Sequence, residues 1–285
     1  MTLLAVAVGL TAAGASAEVV LAPSVFRNAQ LPPDSVTTFT AGCPLGYLAV
    51  SGGIFKPADG ASLVALRPTA GTRGYTFRIG NPGTNPRRHT TALVACRRLS
   101  GSGSGPFLKL TPVRRGPIVV PPGSLKTAQI DCPHGTAPAG YGVDLQPGRA
   151  RSIESFGGTP LSLRRATADL AGFSFAVGNS GTTAKRAVLY GNCLTVVRPP
   201  GAAPERLHVK LTTFSGPVRA GTHKVVHRCA KGWIPLWTGF RIGSSAIDVA
   251  GAAAVNRGGS WWVASEAPNP TLVDLQLACG RLEPS

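Results

Sequence analysis

The chain has 285 residues, 43% of them hydrophobic, and a formal net charge of +17 from 29 basic and 12 acidic residues. This length fits two or three domains, and this hydrophobic content excludes a disordered chain. The 36 Gly and 25 Pro residues disfavour long helices and predict short strands with many turns. The basic residues are spread along the chain and are not interleaved with stacking aromatics, so we consider nucleic acid an unlikely partner.

The first 17 residues are typical of a secretory signal peptide. Residues 2 to 13 are apolar or small, and Ala15-Ser16-Ala17 fits a small-residue cleavage site. No Lys or Arg precedes the apolar run, so either the start lies upstream or the signal is weak. The run is shorter than the roughly 20 residues that span a bilayer. We therefore expect a secreted or cell-surface, extracytoplasmic protein with no transmembrane span in its mature chain.

Three copies of one pattern follow the signal peptide. The cysteines form consecutive pairs separated by 53, 61 and 50 residues. Glycine stands three residues after the first cysteine of each pair and again ten residues after it: Gly46, Gly135 and Gly232, then Gly53, Gly142 and Gly239. Such fixed spacing predicts backbone positions that need a positive φ or a close approach to other backbone.

The repeats divide the mature chain into three modules, residues 18–101, 102–199 and 200–285. Their joints, Ser100 to Pro106 and Pro199 to Pro204, are small, proline-bearing linkers. We expect each module to fold separately.

Within each module the residue pattern is typical of strands. Aromatic and small residues alternate in Tyr75-Thr76-Phe77 and in Phe173-Ser174-Phe175. The Asn-Pro-Gly-Thr and Asn-Ser-Gly-Thr segments that follow predict hairpin turns into a strand that reaches the second cysteine. The predicted fold is all-β, with three tandem small antiparallel β-sandwich modules and one disulfide within each module.

The repeat also selects one disulfide pairing among the possible ones. Equivalent placement in each copy predicts the bridges Cys43–Cys96, Cys132–Cys193 and Cys229–Cys279. In an exported chain we interpret these as structural bridges and not as redox sites.

The Cys-Pro-x-Gly opening, the aromatic strand, the Gly-Asn turn and the closing cysteine resemble tandem Cys-paired β-sandwich modules. Such modules occur in secreted proteins of high-GC Gram-positive bacteria. In general outline the pattern is also similar to immunoglobulin-like sandwiches. The resemblance implies an extracytoplasmic location and carries no activity with it.

No pattern of catalytic or metal-binding residues stands out. His223 and His227 precede Cys229, but in a strand residues four apart lie about 13 Å from each other, too far to share one ion. We interpret them as solvated strand histidines. The acidic residues do not recur as a carboxylate pair, and no nucleophile elbow or phosphate loop occurs. We therefore expect neither an enzyme nor a cofactor or metal.

Two features suggest ligand contacts. Arg87-Arg88 and Lys185-Arg186 occupy the same place in two repeats, where they either grip anionic polymers through charge-assisted bonds or form ordinary solvated loops. All four tryptophans lie in the third repeat. An alignment on Gly259 places Trp262 in the core and predicts that Trp261 faces outward. Trp237 aligns with small residues in the other repeats.

Trp237 and Trp261 thus form a ligand surface, or they pack against the second repeat or a partner copy, or they merely enlarge the core of the third repeat. The expected function is a non-catalytic binding or structural protein of the cell surface. Its expected partner is an anionic envelope polymer, a glycan or another protein. The alternative is a secreted hydrolase or inhibitor whose site the sequence does not display.

Overall fold

Strands account for the regular structure of this protein. A computed structural model describes residues 19–21, 25–58, 61–81, 88–99, 107–145, 161–169, 171–198, 200, 205–244, 247–255 and 257–284. These ranges contain 19 strands and no helix. The all-β prediction is therefore confirmed.

Each repeat contributes six strands in the same order, and a short strand precedes the first repeat's six. The first repeat contains β1 to β7: Val19–Leu21, Val25–Leu31, Ser35–Gly42, Leu48–Lys56, Ser62–Pro68, Gly74–Asn81 and Arg88–Leu99. The second contains β8 to β13: Phe107–Val120, Ser124–Asp131, Ala137–Asp144, Leu161–Ala168, Gly172–Asn179 and Lys185–Val197. The third contains β14 to β19: Glu205–Val218, Gly221–Arg228, Ile234–Ile242, Ile247–Val255, Gly258–Ser265 and Thr271–Pro284.

The strands form four antiparallel sheets, which we call A to D. In sheet A, β7 pairs with β4 on one edge and with β1 and β2 on the other. Sheet B has the order β3-β6-β5-β10-β13-β8, sheet C the order β14-β19-β16-β11-β12-β9, and sheet D the order β15-β18-β17. The four sheets lie in a ring, and this arrangement resembles a four-bladed β-propeller.

Sheets B and C each combine strands of two repeats, so the prediction of three sandwich modules is wrong. Strand β5 pairs with β10 of the second repeat, where Leu66 lies opposite Val143. Strand β11 pairs with β16 of the third repeat, where Ala166 lies opposite Phe240. Alternation along a strand indicates which face is buried, but it does not indicate which strand will be the neighbour. The resemblance to tandem sandwich and immunoglobulin-like modules is overturned by the same pairings.

The predicted burial along the aromatic strands is confirmed, but the predicted hairpin is wrong. In Phe173-Ser174-Phe175 both rings are buried and the serine is half-buried. The bend that follows leads from β12 in sheet C to β13 in sheet B, so the chain changes sheet. Asn179 stabilises this crossing by donating hydrogen bonds from Nδ2 to the Val120 and Thr183 oxygens, both at 2.9 Å. The corresponding turn of the first repeat lies largely outside the described residues.

The first set of repeated glycines is required by the turn after each leading cysteine. Gly46, Gly135 and Gly232 have φ angles of 81°, 75° and 80°. A side chain is strained in this left-handed region, whereas glycine adopts it freely. The prediction of a positive φ is confirmed.

The second set of glycines lies where neighbouring repeats meet. A Cβ atom on Gly142 would collide with the Leu66 oxygen in β5, and one on Gly239 with the Ala166 oxygen in β11. Gly53 in β4 is packed against the backbone of β17 in the same way. The predicted close approach is therefore confirmed, and the third contact, between sheets A and D, closes the ring.

The three predicted disulfides are confirmed, and each joins two neighbouring sheets. The pairs Cys43–Cys96, Cys132–Cys193 and Cys229–Cys279 have Cα atoms 5.6, 5.7 and 5.9 Å apart. They link sheet B to A, sheet C to B, and sheet D to C. All six cysteines are used, so the junction of sheets A and D has no covalent link. Three disulfides suggest an oxidising, extracytoplasmic environment.

Buried charged side chains also connect the repeats. Asp144 in β10 is buried and pairs with Arg67 in β5 and, at 3.9 Å, with Arg78 in β6. Arg97 in β7 is fully buried and donates hydrogen bonds from Nε and Nη2 to the Pro235 oxygen in β16, at 3.2 and 2.8 Å. Burial lowers the pKa of Arg97 to about 10. Since a buried charge without its partners is strongly destabilising, these contacts favour the closed ring over separate modules.

Two buried tyrosines predict a loss of stability at alkaline pH. Burial raises the pKa of Tyr75 and Tyr141 above the ordinary value of 10.0. The free energy of unfolding is therefore not lowered by these tyrosines below that pH. Above it the tyrosines ionise in the unfolded chain but not in the folded protein, and the free energy of unfolding falls by roughly one kcal/mol per tyrosine for each further pH unit. Tyr141→Phe should remove about half of this fall, measured by urea unfolding at about pH 9 and about pH 11. The titration of Arg97 changes the stability in the opposite direction, and it does so in both the parent and the variant. The difference between the two proteins is therefore due to Tyr141. An identical fall in parent and variant would contradict this prediction.

The predicted signal peptide, residues 1–17, lies outside the described residues, as do most residues of both predicted joints. The module boundaries therefore stay predictions. Across the described ranges, no helix is long and apolar enough to cross a membrane.

Candidate functional site

The two tryptophans predicted as ligand contacts are fully buried, with 0% exposure each. The Trp237 ring packs edge-on against Tyr141 and Phe173 of the second repeat, with centroids 6.3 and 6.0 Å apart. Trp261 donates a hydrogen bond from Nε1 to the Gly239 oxygen at 3.0 Å. These contacts correspond to the alternative interpretation, in which the third repeat packs a larger core against the second.

The prediction that Trp261 faces outward is wrong because the alignment on Gly259 is one residue out of register. Gly258, and not Gly259, corresponds to the glycines that open β6 and β12, since at all three a Cβ atom would collide with a backbone oxygen of the adjacent edge strand. A shift of one residue moves every side chain of a strand to the other face. Trp261 therefore takes the core place of Phe77 and Phe175.

The predicted basic contacts begin strands in two different sheets. Arg87 lies outside the described residues. Arg88 is half-buried at the start of β7 in sheet A, while Lys185 and Arg186 open β13 in sheet B. Their role as ligand contacts stays a prediction.

The two strand histidines have separate surroundings. His223 is exposed, and its Nε2 lies 3.1 Å from the Arg219 oxygen. The His227 ring stacks on Phe214 with centroids 3.5 Å apart, and burial lowers its pKa. Among the described residues, no group of three His, Cys, Asp or Glu side chains is placed to bind a metal ion.

A groove of about 520 Å³ lies between sheets A and D, at the junction that no disulfide spans. Phe26 of β2 and Phe55 of β4 line it from sheet A. Sheet D lines it with Lys224, Val226, Arg228, Val255, Arg257, Gly258 and Ser260. Its volume is within the range of small-molecule sites. We call it the A–D groove.

The residue pattern of sheet D explains why the groove forms there. Lys224, Val226 and Arg228 alternate along β15 and so share one face. On the neighbouring strand β18, Gly258 lies opposite Arg228 and Ser260 lies opposite Val226. Because these two partners are small, the sheet is recessed beside the longer side chains of β15.

Aromatic rings form one end of the groove. Phe26 is 51% exposed and meets Phe55 edge-on, with ring centroids 5.1 Å apart. Trp262, beside the groove, donates a hydrogen bond from Nε1 to the Phe55 oxygen at 2.5 Å. The Lys224 ammonium lies 5.1 Å from the Phe55 ring and 5.8 Å from the Trp262 ring, within cation–π range. These contacts hold this end in one arrangement.

Two guanidinium groups mark the other end of the groove. Arg228 lies opposite Gly258, and Arg257 directly precedes that glycine. Both arginines are exposed, and neither forms an ion pair with any residue in the described ranges. Arginine binds carboxylate, sulfate and phosphate groups through paired N–H donors. This end is therefore suited to an anion.

A buried hydroxyl lies between the two ends. Ser260 is 2% exposed, and its Oγ has no hydrogen-bond partner among the described residues. An unsatisfied buried hydroxyl costs about 1–3 kcal/mol, so such groups usually have water or a ligand as a partner. Ser260 thus lies in the wall of the groove with its hydroxyl oxygen covered by neighbouring atoms.

The groove occupies a position where another junction of the ring holds an ion pair. Phe55 corresponds to Asp144, since each lies 12 residues after the leading cysteine of its repeat. Trp262 corresponds in register to Arg78, the residue after Phe77. The groove does not stand out in the sequence because its residues do not recur between repeats and because the alignment on Gly259 places Trp262 in the core. Phe55 and Trp262 thus replace the acid–base pair of Asp144 and Arg78. This replacement can be recognised in the sequence only when the register of β18 is known.

No protein-family model matches the chain, and no curated protein matches it significantly. The predicted kinship with tandem sandwich modules thus has no support from relatives. We therefore base the proposed function on the A–D groove.

Proposed function

We propose that the protein is an exported, non-enzymatic binding protein of the cell surface, and that it holds an anionic ligand in the A–D groove. One observation carries the proposal: Arg228 and Arg257, exposed and without ion-pair partners in the described ranges, lie at one end of a concave surface. Acidic envelope polymers and acidic glycans are anionic partners of this kind.

Two further observations support the proposal. The net charge of +17 attracts anionic partners over distances of about a Debye length, roughly 8–10 Å at physiological salt. Three disulfides fit an oxidising compartment.

Replacing both guanidinium groups, as Arg228→Gln with Arg257→Gln, should weaken binding of heparin, a sulfated polymer, about 30-fold. Each charge-assisted bond to the ligand contributes on the order of 1 kcal/mol, and two such bonds are lost. Isothermal titration calorimetry of the full chain at low ionic strength measures the effect, because added salt would screen it.

A matched control removes two exposed cations from sheet C instead, as Lys210→Gln with Arg241→Gln. Equal weakening in the two double variants would mean that diffuse charge holds the polymer, and it would contradict the proposed function. A loss confined to the triple variant Arg88→Gln, Lys185→Gln and Arg186→Gln would place the contact at those residues and overturn the assignment to the groove.

A further inference from the structure

We infer that the ligand of the A–D groove is an anionic amphiphile: a single alkyl or acyl chain that carries one phosphate, sulfate or carboxylate group. This inference rests on the proposed function, because it assigns the chemical class of the anion bound in the same groove.

The polar and apolar contacts of the groove lie in sequence along β15. Arg228 stands with Arg257 at one end, Val226 follows two residues further along the strand, and Lys224 is held by the aromatic rings at the other end. A ligand lying along this strand meets two cations first and apolar side chains next. That order matches a molecule with a charged head and an apolar chain.

The exposed apolar surface is the second part of the argument. Phe26 and Val226 are large hydrophobic side chains that are 51% and 50% exposed. Both line the same groove, one from each sheet. Clustered exposed apolar side chains are typical of interaction sites, and covering them with methylene groups contributes to affinity. A polymer held by charge alone would make no use of them.

The shape of the groove disfavours a neutral sugar. Sugars stack on open aromatic faces and need several hydrogen-bonding groups, but Phe26 and Phe55 meet at an interplanar angle of 74°. The uncharged polar side chain that lines the groove is Ser260. A volume of about 520 Å³ accommodates one small molecule.

The test compares three probes on the full chain, below the micelle concentration: dodecyl phosphate, dodecyl maltoside and inorganic phosphate. Calorimetry measures the affinity, and the emission of Trp262, which borders the groove, reports occupancy. Dodecyl phosphate should bind at least about tenfold more tightly than either other probe, because only it satisfies both ends of the groove. Equal binding of dodecyl maltoside would overturn the inference, since recognition would then not involve the charge.

The outcomes also separate this inference from the proposed function. If dodecyl phosphate binds no more tightly than inorganic phosphate, the amphiphile is excluded while the anion site stands. If no anion, heparin included, responds to Arg228→Gln with Arg257→Gln, the proposed function itself fails.

A pair of matched variants locates the binding. Val226→Glu places a negative charge in the apolar part of the groove and should weaken dodecyl phosphate at least about tenfold. Val119→Glu, at a valine that is 51% exposed in β8 of sheet B, should leave the affinity unchanged. Equal losses in both would overturn the inference. Should Val226→Glu lower the melting temperature, Phe26→Ser replaces it as the test and should weaken dodecyl phosphate about threefold or more, because an exposed apolar ring that lines the groove is lost; an unchanged affinity there would overturn the inference.

Discussion

The second repeat expressed alone, as residues 107–198, should show no cooperative unfolding transition even when its disulfide forms. Strand β10 would lose its neighbour β5, and β11 would lose β16. Asp144 would keep none of its contacts with Arg67 and Arg78. Circular dichroism during urea unfolding under oxidising conditions measures the outcome.

A longer fragment provides the control for this experiment. Residues 25–198 contain every strand of sheet B and the first two disulfides, so this fragment should retain a partial transition that the single repeat lacks. A cooperative transition of the single repeat would show that each module folds by itself, as the sequence alone predicts, and that the ring is not required.

Gly142→Ala should destabilise the protein by roughly 3 kcal/mol or more. The new methyl group would collide with the Leu66 oxygen and lie 3.0 Å from Pro68 Cδ, where two repeats pair. Neither neighbour can move without separating β5 from β10, because backbone cannot rotate away as a side chain can. Urea unfolding of the full chain measures the change in the free energy of unfolding.

Gly216→Ala is the matched control. Gly216 also lies within a strand, but a Cβ atom there would meet no other atom within 4 Å. Its substitution should change stability by no more than about 0.5 kcal/mol. Similar effects at the two positions would show that the junction between repeats is not tightly packed, and would contradict the close pairing of β5 with β10 in the ring.

The candidate site illustrates how far residue patterns reach. The predicted ligand contacts are residues that either break or repeat the pattern of the three copies. Trp237 and Trp261 break it in order to fill the core, so an unusual residue size indicates packing here and not exposure. One end of the groove is held by the hydrogen bond between Trp262 and Phe55, which are separated by 207 residues. No spacing within a single repeat can reveal a contact of this kind.

Local spacing along the chain was enough to predict the three disulfide pairs, the positive-φ turns, the close-approach glycines and the buried faces of the aromatic strands in the first two repeats. Each of these follows from cysteine placement, backbone sterics or a period of two. The pairing of strands could not be predicted in this way, because backbone hydrogen bonds are the same for every sequence and an alternating strand fits any partner with a matching face. The exchange of strands between repeats, the register of β18 and the groove at the junction without a disulfide all follow from that choice of partners.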